Sequence, residues 1–241
     1  MRYQTGIDSD RNRSIGVILA NLGTPDAPDS PAVRRFLTQF LHDHRVVELH
    51  RMIWCPILHG IILRFRPRLS ATAYKKIWSP TGSPLLTIAR RQTNLISDYL
   101  RQKIELPVNV ELGMRYGNPS TKSAIQRLKA RGVKEILAIP LYPHYAMSSY
   151  ETAVAKAQGE AREVDPSLKL TIEAPYFDDE DYIDALYEVA KPYLDEQPVD
   201  KILFSYHGVP ERHIKKADPS GCYCLNYENC CKREHPAHAF C

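Results

Sequence analysis

The chain has 241 residues, of which 44% are hydrophobic and 25% charged, a composition typical of a soluble globular protein with one or two domains. Thirty-two basic and 28 acidic residues give a net charge of +4. The two signs are interspersed without a dense basic run, so the composition does not indicate nucleic-acid binding. The polar residues 1–13 lack the apolar segment of a signal peptide, which predicts a cytoplasmic protein.

Apolar runs of strand length alternate with helical patterns along most of the chain. The strand-like runs are residues 14–22, 108–113, 134–140, 169–174 and 202–204. The helical patterns cover residues 30–41, 86–103, 120–130, 149–162 and 178–194. Strands that alternate with helices pair in parallel, so we predict an α/β fold with parallel sheets flanked by helices. The second half repeats the architecture of the first, which indicates two lobes with a boundary near residues 147–152.

The longest apolar stretch is residues 52–65, which Pro56 and Gly60 interrupt. It is shorter than the ~20 residues that a membrane-spanning helix needs. Arginines flank it on both sides, and an apolar segment with basic flanks suits a membrane surface or an apolar mouth. A helix pair that covers the core is the alternative.

The run at residues 202–204 predicts a buried strand, which ends before Gly208 and Pro210 and presents His207 at its carboxyl end. Ligands of open α/β sheets bind at that edge. Arg115 and Tyr116 follow the strand at residues 108–113 in the same way. The single Gly23 after the first strand lacks the further glycines of a dinucleotide-binding loop.

Four short motifs occur in order: residues 21–25 (NLGTP), 113–116 (GMRY), 141–145 (LYPHY) and 204–210 (FSYHGVP). Together they resemble the ferrochelatase family, bacterial type. The resemblance implies two Rossmann-like lobes of the chelatase fold with a porphyrin cleft between them. It also implies a lyase that inserts Fe²⁺ into protoporphyrin IX, the last step of protohaem synthesis.

Metal insertion removes two pyrrole N–H protons from a flat macrocycle, so the site needs a base or metal ligand beside the ring. Histidine, with an ordinary pKa near ~6.5, serves either purpose, and the resemblance gives His207 the catalytic and Fe²⁺-binding role. It also implies a set of porphyrin contacts: Leu22, Tyr74, Ser83, Arg115, Tyr116 and Tyr142. Arginine suits a propionate, because it binds a carboxylate through two parallel hydrogen bonds. Each tyrosine has an alternative as a half-buried ring with a satisfied hydroxyl.

Family members carry an apolar lip at the position of residues 52–65, which admits porphyrin from a membrane. The resemblance therefore implies peripheral attachment of a cytoplasmic protein to the inner face of the membrane.

Five of the six cysteines lie in residues 222–241, namely Cys222, Cys224, Cys230, Cys231 and Cys241. Clustered cysteines in a cytosolic protein favour metal or redox chemistry over disulfides. Their spacing does not decide between zinc and an iron–sulfur cluster. Some ferrochelatases carry a [2Fe–2S] cluster with cysteines at about this place, so the resemblance favours iron–sulfur. Unliganded thiols are the alternative.

Ferrochelatases continue beyond this point to an acidic residue opposite the active histidine. The resemblance thus predicts a tail at residues 1–13, a first lobe at residues 14–148, and an incomplete second lobe at residues 149–241. An incomplete sheet exposes its edges, so we expect low stability and little or no chelatase activity. A non-catalytic porphyrin- or haem-binding protein and an iron–sulfur or zinc module stay open as alternatives, with a cobalt chelatase as a third.

Overall fold

The structure, a computed structural model, describes residues 14–196 and 199–240. The predicted polar tail at residues 1–13 and the predicted cysteine ligand Cys241 lie outside the described residues. The described chain forms two compact units. The first contains residues 14–141 and 152–173, and the second contains residues 142–151, 174–196 and 199–240.

The first unit contains four strands and six of the helices. The strands are β1 (Ile15–Thr24), β2 (Val108–Gly117), β3 (Glu135–Pro140) and β4 (Lys169–Ile172). The helices are α1 (Ser30–Leu41), α2 (Arg51–Ile57), α3 (Leu63–Ile77), α4 (Pro84–Lys103), α5 (Thr121–Ala130) and α6 (Thr152–Val164), with a π-helical turn at Leu58–Ile62. The second unit contains α7 (Glu180–Asp195), α8 (Glu211–Ala217), a π-helical turn (Met147–Glu151) and two short 3₁₀ turns (Cys230–Lys232 and Pro236–Phe240).

All four strands pair in parallel, in the order β2-β1-β3-β4. The central strand β1 is buried on both faces, which is why its sequence is a continuous apolar run. Ile18 packs on one side with Ile125, Leu128 and Ile136. Leu19 packs on the other side with residues of α4 and β2, because successive strand residues point to opposite faces. The predicted α/β fold with a parallel sheet flanked by helices is therefore confirmed.

The predicted apolar lip, residues 52–65, is helical: it covers α2, the π-helical turn and the start of α3. It is anchored at a few points. Leu58 and Leu63 are buried, and the indole Nε1 of Trp54 donates a hydrogen bond of 2.7 Å to the Leu41 carbonyl at the end of α1. Large apolar side chains remain exposed, including Met52 and Phe65. None of the described helices is long and apolar enough to cross a membrane. The segment thus buries side chains of the π-helical turn and of α3, whereas α2 has no buried residue.

Two predicted strands differ from the structure. The run at residues 169–174 was expected in the second lobe, but β4 pairs with β3 and extends the first sheet. The run at residues 202–204 is neither a strand nor buried, and Leu203 is 90% exposed. The described part of the second unit contains no strand, so this run has no ladder with which to satisfy its backbone groups.

Candidate functional site

The carboxyl ends of β1 and β2 form one edge of the first unit. Gly23 is the register partner of Tyr116, so Leu22 near the end of β1 lies beside Arg115 and Tyr116 near the end of β2. Ligands of open α/β sheets bind outside the carboxyl ends of the strands. The structure therefore brings these three predicted residues together. Tyr142 belongs to the second unit.

A buried carboxylate organises this edge. The Oδ2 atom of Asp43, in the loop after α1, accepts hydrogen bonds from Arg115 Nη2, Thr152 Oγ1 and, at 2.8 Å, the Tyr116 hydroxyl. Its Oδ1 atom accepts a 2.9 Å bond from the Arg45 backbone N–H. Arg115 Nε also donates to Thr152 Oγ1 at 2.6 Å. The Asp43 side chain is 4% exposed and that of Arg115 is 15% exposed.

The charges of this network are fixed by its surroundings. Burial alone would raise the pKa of the Asp43 carboxyl, but the hydrogen bonds and the Arg115 guanidinium together hold that pKa below its ordinary value. Burial raises the pKa of the Tyr116 hydroxyl well above its ordinary range. Asp43 is thus an anion and Tyr116 a neutral donor at physiological pH, so the Asp43–Arg115 pair has no net charge.

Asp43 and Thr152 were not predicted from the sequence. Asp43 follows His42 in a charged stretch typical of a solvated loop, and Thr152 lies 109 residues away from it. Only the packing of the loop and of α6 against β2 brings them together. The one local signal is Val46 and Val47, apolar residues that make a fully solvated loop less expected.

The aromatic Tyr116 is completely buried. Its ring makes edge contacts with Phe40, at a centroid distance of 5.2 Å, and with Phe36 at 6.3 Å, and the Arg115 guanidinium lies 4.2 Å from its centroid. The Tyr116 side chain therefore contacts both members of the Asp43–Arg115 pair, Asp43 through its hydroxyl and Arg115 through its ring.

Two other predicted contacts lie in α3 and directly before α4. Tyr74, on α3, is half-buried, its pKa is raised by burial, and its ring packs edge-on against Trp78. Ser83 is buried and precedes the first turn of α4, where its side chain makes no capping hydrogen bond.

The predicted catalytic histidine lies in the second unit, in an exposed irregular segment. His207 Nδ1 lies 2.6 Å from the Gly208 carbonyl oxygen. A carbonyl only accepts, so Nδ1 carries the proton and the neutral ring has its lone pair on Nε2. The adjacent Tyr206 ring makes an edge contact with His144, which stacks on Phe177. The loop at residues 142–145 thus contacts the residue next to His207. His207 itself is not at the end of a described strand.

The C-terminal cysteines do not form a ready cluster site. Cys224 and Cys230 are buried, whereas Cys222 and Cys231 are exposed, and the sulfurs of the neighbouring pair Cys230 and Cys231 lie 3.8 Å apart. A backbone hydrogen bond involving Leu225 is the main cause that lowers the pKa of the Cys230 thiol. Across residues 14–196 and 199–240, no three His, Cys, Asp or Glu side chains converge so that they could hold a metal ion. The described cysteines therefore do not fit a four-cysteine cluster as arranged.

A parallel α/β unit with a buried polar network at the carboxyl edge of its sheet places the chain among the open-sheet α/β proteins, a class whose ligand sites lie at that edge. The sequence model named Ferrochelatase matches residues 14–238, and the chain belongs to the ferrochelatase family.

Curated relatives agree. The ferrochelatase of Opitutus terrae is 46% identical over 226 residues, which cover 93% of this chain and 64% of that protein. The ferrochelatases of Shewanella denitrificans and Thioalkalivibrio sulfidiphilus are each 44% identical, and the matches cover 65% and 57% of their lengths. The chain therefore spans less than two thirds of these relatives.

Proposed function

We propose that this chain supplies the porphyrin-holding unit and the reactive histidine of a ferrochelatase, which inserts Fe²⁺ into protoporphyrin IX. The reaction exchanges two pyrrole protons for one Fe²⁺ ion, and both protons leave the ring. Besides family membership, one observation carries the proposal: the Nδ1 atom of His207 donates to the Gly208 carbonyl. This bond leaves Nε2 of the neutral ring to accept a pyrrole proton or to bind the incoming ion.

We propose that Arg115, at the edge of the first unit, donates hydrogen bonds to a propionate of the porphyrin. Its Nε and Nη2 atoms are used by Thr152 and Asp43, and neither bond uses Nη1. The Nη1 donors therefore remain for a propionate carboxylate. Because Asp43 already offsets the charge of Arg115, directed hydrogen bonds would hold the propionate on Arg115 more than net charge would.

The lip supports the entry of an apolar porphyrin. Met52, Ile61 and Phe65 expose their side chains, and the exposed Arg64 and Arg66 alternate with them. Apolar side chains beside basic ones bind the interface of anionic membranes. We propose a cytoplasmic protein with peripheral attachment at the inner face of the membrane through residues 52–65.

Five further porphyrin contacts remain predictions: Leu22, Tyr74, Ser83, Tyr116 and Tyr142. A [2Fe–2S] cluster on Cys222, Cys224, Cys230, Cys231 and Cys241 is a separate prediction, and no step of the proposed reaction passes through it.

Iron insertion into protoporphyrin IX tests the proposal. We expect the 241-residue chain to show little or no turnover, and a chimera extended with the remaining segment of the Opitutus terrae relative to be active. In that chimera, His207→Ala should lower kcat by at least about 100-fold, the usual range for loss of a general base or ligand. Porphyrin binding, followed by fluorescence, should persist.

His44→Ala is the control, since His44 is an exposed histidine of the first unit. Full turnover in the His207→Ala chimera would contradict the role of the histidine. Tight porphyrin binding without turnover in a folded chimera would instead favour the non-catalytic porphyrin-binding alternative. Turnover by the 241-residue chain equal to that of the chimera would contradict the expected inactivity.

A further inference from the structure

We propose that His42 and His59 form a binding site for one divalent transition-metal ion on the first unit, separate from the Asp43 network and from His207. The Nε2 atoms of the two exposed rings lie 3.1 Å apart, with ring centroids at 5.0 Å and planes tilted by 54°. This inference concerns a second site and does not rest on the proposed iron insertion.

The distance between the two Nε2 atoms suits two ligands of one metal ion. Metal–imidazole bonds of about 2.0–2.1 Å place two ligand nitrogens about 2.9 Å apart at a right angle and about 3.4 Å apart at a tetrahedral angle. The observed distance lies between these values. The two rings therefore need little movement to share an ion.

The hydrogen bonding of His42 also suits a ligand. Its Nδ1 atom lies 2.7 Å from the Thr38 carbonyl oxygen, which can only accept, so Nδ1 holds the proton. The lone pair of the neutral ring is then on Nε2, facing His59. A backbone carbonyl on the far nitrogen is the usual support of a metal-ligating histidine.

Without metal, His59 donates its Nε2 proton to His42. Binding bonds both Nε2 atoms to the ion, so the His59 proton moves from Nε2 to Nδ1 while both rings stay neutral. No net proton is released in this exchange of tautomers. The metal-free hydrogen bond thus holds the two rings close to the geometry of the bound state.

The backbone on each side of the pair is fixed. His42 directly follows α1, and Trp54 donates a hydrogen bond to the carbonyl of Leu41, the last residue of that helix. His59 follows Leu58, which is completely buried at the start of the π-helical turn. The last turn of α1 has no basic residue, and the negative end of a helix dipole favours a cation. Ordering the site therefore costs little.

The ligands define the class of ion. Two neutral imidazoles favour Cu²⁺, Ni²⁺ and Zn²⁺ over Mg²⁺ and Ca²⁺. No third His, Cys, Asp or Glu completes a metal-holding group within the part of the chain that the structure describes. Water would fill the remaining positions, so the ion should exchange readily.

Histidine-ring ¹H–¹⁵N spectra of the whole chain during a Zn²⁺ titration test the site, because they resolve these rings from the cysteines, which also bind zinc. We expect His42 to be the Nδ1-protonated tautomer without metal. Zn²⁺ should then shift the Nε2 signals of His42 and His59 together. Mg²⁺ should leave both unchanged.

His42→Asn and His59→Asn should each weaken the zinc response of the remaining ring by about tenfold or more, whereas His44→Asn should not affect it. Thermal melts check that each variant folds. If only one of the two histidine variants folds, that variant is enough to test the site. Independent responses of the two rings would overturn the proposal. The absence of any zinc response would also overturn it and would leave the pair as a simple hydrogen bond.

Discussion

Replacing Gly23 with alanine is expected to destabilise the first unit by more than about 4 kcal/mol, a loss at the extreme of single substitutions. Gly23 has a φ of +105°, and an added Cβ would lie 1.7 Å from the Tyr116 carbonyl oxygen. The clash is with the backbone of the paired strand β2, so no side-chain rotation relieves it. Unfolding in denaturant, followed by circular dichroism, measures the change.

Gly132→Ala is the matched control. Gly132 also has a positive φ, +78°, but an added Cβ there meets no atom within 4 Å. The Gly132→Ala variant should lose only about 1 kcal/mol of stability, the cost of alanine in a left-handed conformation. Equal losses in the two variants would show that backbone conformation, and not the close approach of β1 to β2, requires glycine at position 23.

The second large effect is expected at Asp43. Asp43→Asn removes the charge that offsets Arg115, whose side chain is 15% exposed. Removing one partner of a buried ion pair leaves the other charge unpaired and costs about 3–5 kcal/mol of stability. Because Arg115 is partly exposed, we expect a loss of about 3 kcal/mol. The free energy of unfolding in denaturant provides the measurement.

Asp26→Asn is the control, because Asp26 forms an exposed ion pair with Arg35 at 3.5 Å. This substitution should lower the free energy of unfolding by less than about 1 kcal/mol. Adding Arg115→Met to Asp43→Asn should recover part of the loss, since the unpaired charge is then gone. If the double variant is as unstable as the sum of both single variants, the loss does not arise from an uncompensated charge.

The same pair predicts a pH dependence. The pKa of Asp43 in the folded chain is below its ordinary value of 3.8, so its contribution is complete above the unfolded pKa. It is lost as the pH falls through the lower, folded pKa. The difference in unfolding free energy between the wild type and Asp43→Asn should be constant from neutral pH to about pH 5 and should shrink below about pH 4. A difference that grows on acidification would contradict the direction of the shift.

The first sheet was largely predictable because its strands are buried on both faces. A run such as Val17–Ala20 is apolar throughout, and its alternation with amphipathic helices specifies parallel pairing. The prediction that Arg115 and Tyr116 lie at the carboxyl end of their strand followed from the same rule. It did not depend on any detail of side-chain packing.

Strand membership was less predictable where a run is short. The apolar runs at residues 169–174 and 202–204 look alike in sequence, yet the first pairs with β3 and the second is exposed. A strand is stabilised by the neighbour with which it shares hydrogen bonds, and that neighbour lies far away in sequence. Local composition therefore indicates which residues are able to form a strand, but not where they pair.

By itself, the sequence determined the α/β class, the alternation of strands and helices along the chain, the apolar segment at residues 52–65 and the motifs of the ferrochelatase family, because periodicity and motif order are local properties. Only the tertiary structure decided that Asp43 and Thr152 hold Arg115, that Tyr116 is buried beneath it, and that His42 faces His59. These relations depend on charges and hydrogen bonds between residues far apart in the chain. Their energies become large only where folding removes water from around them.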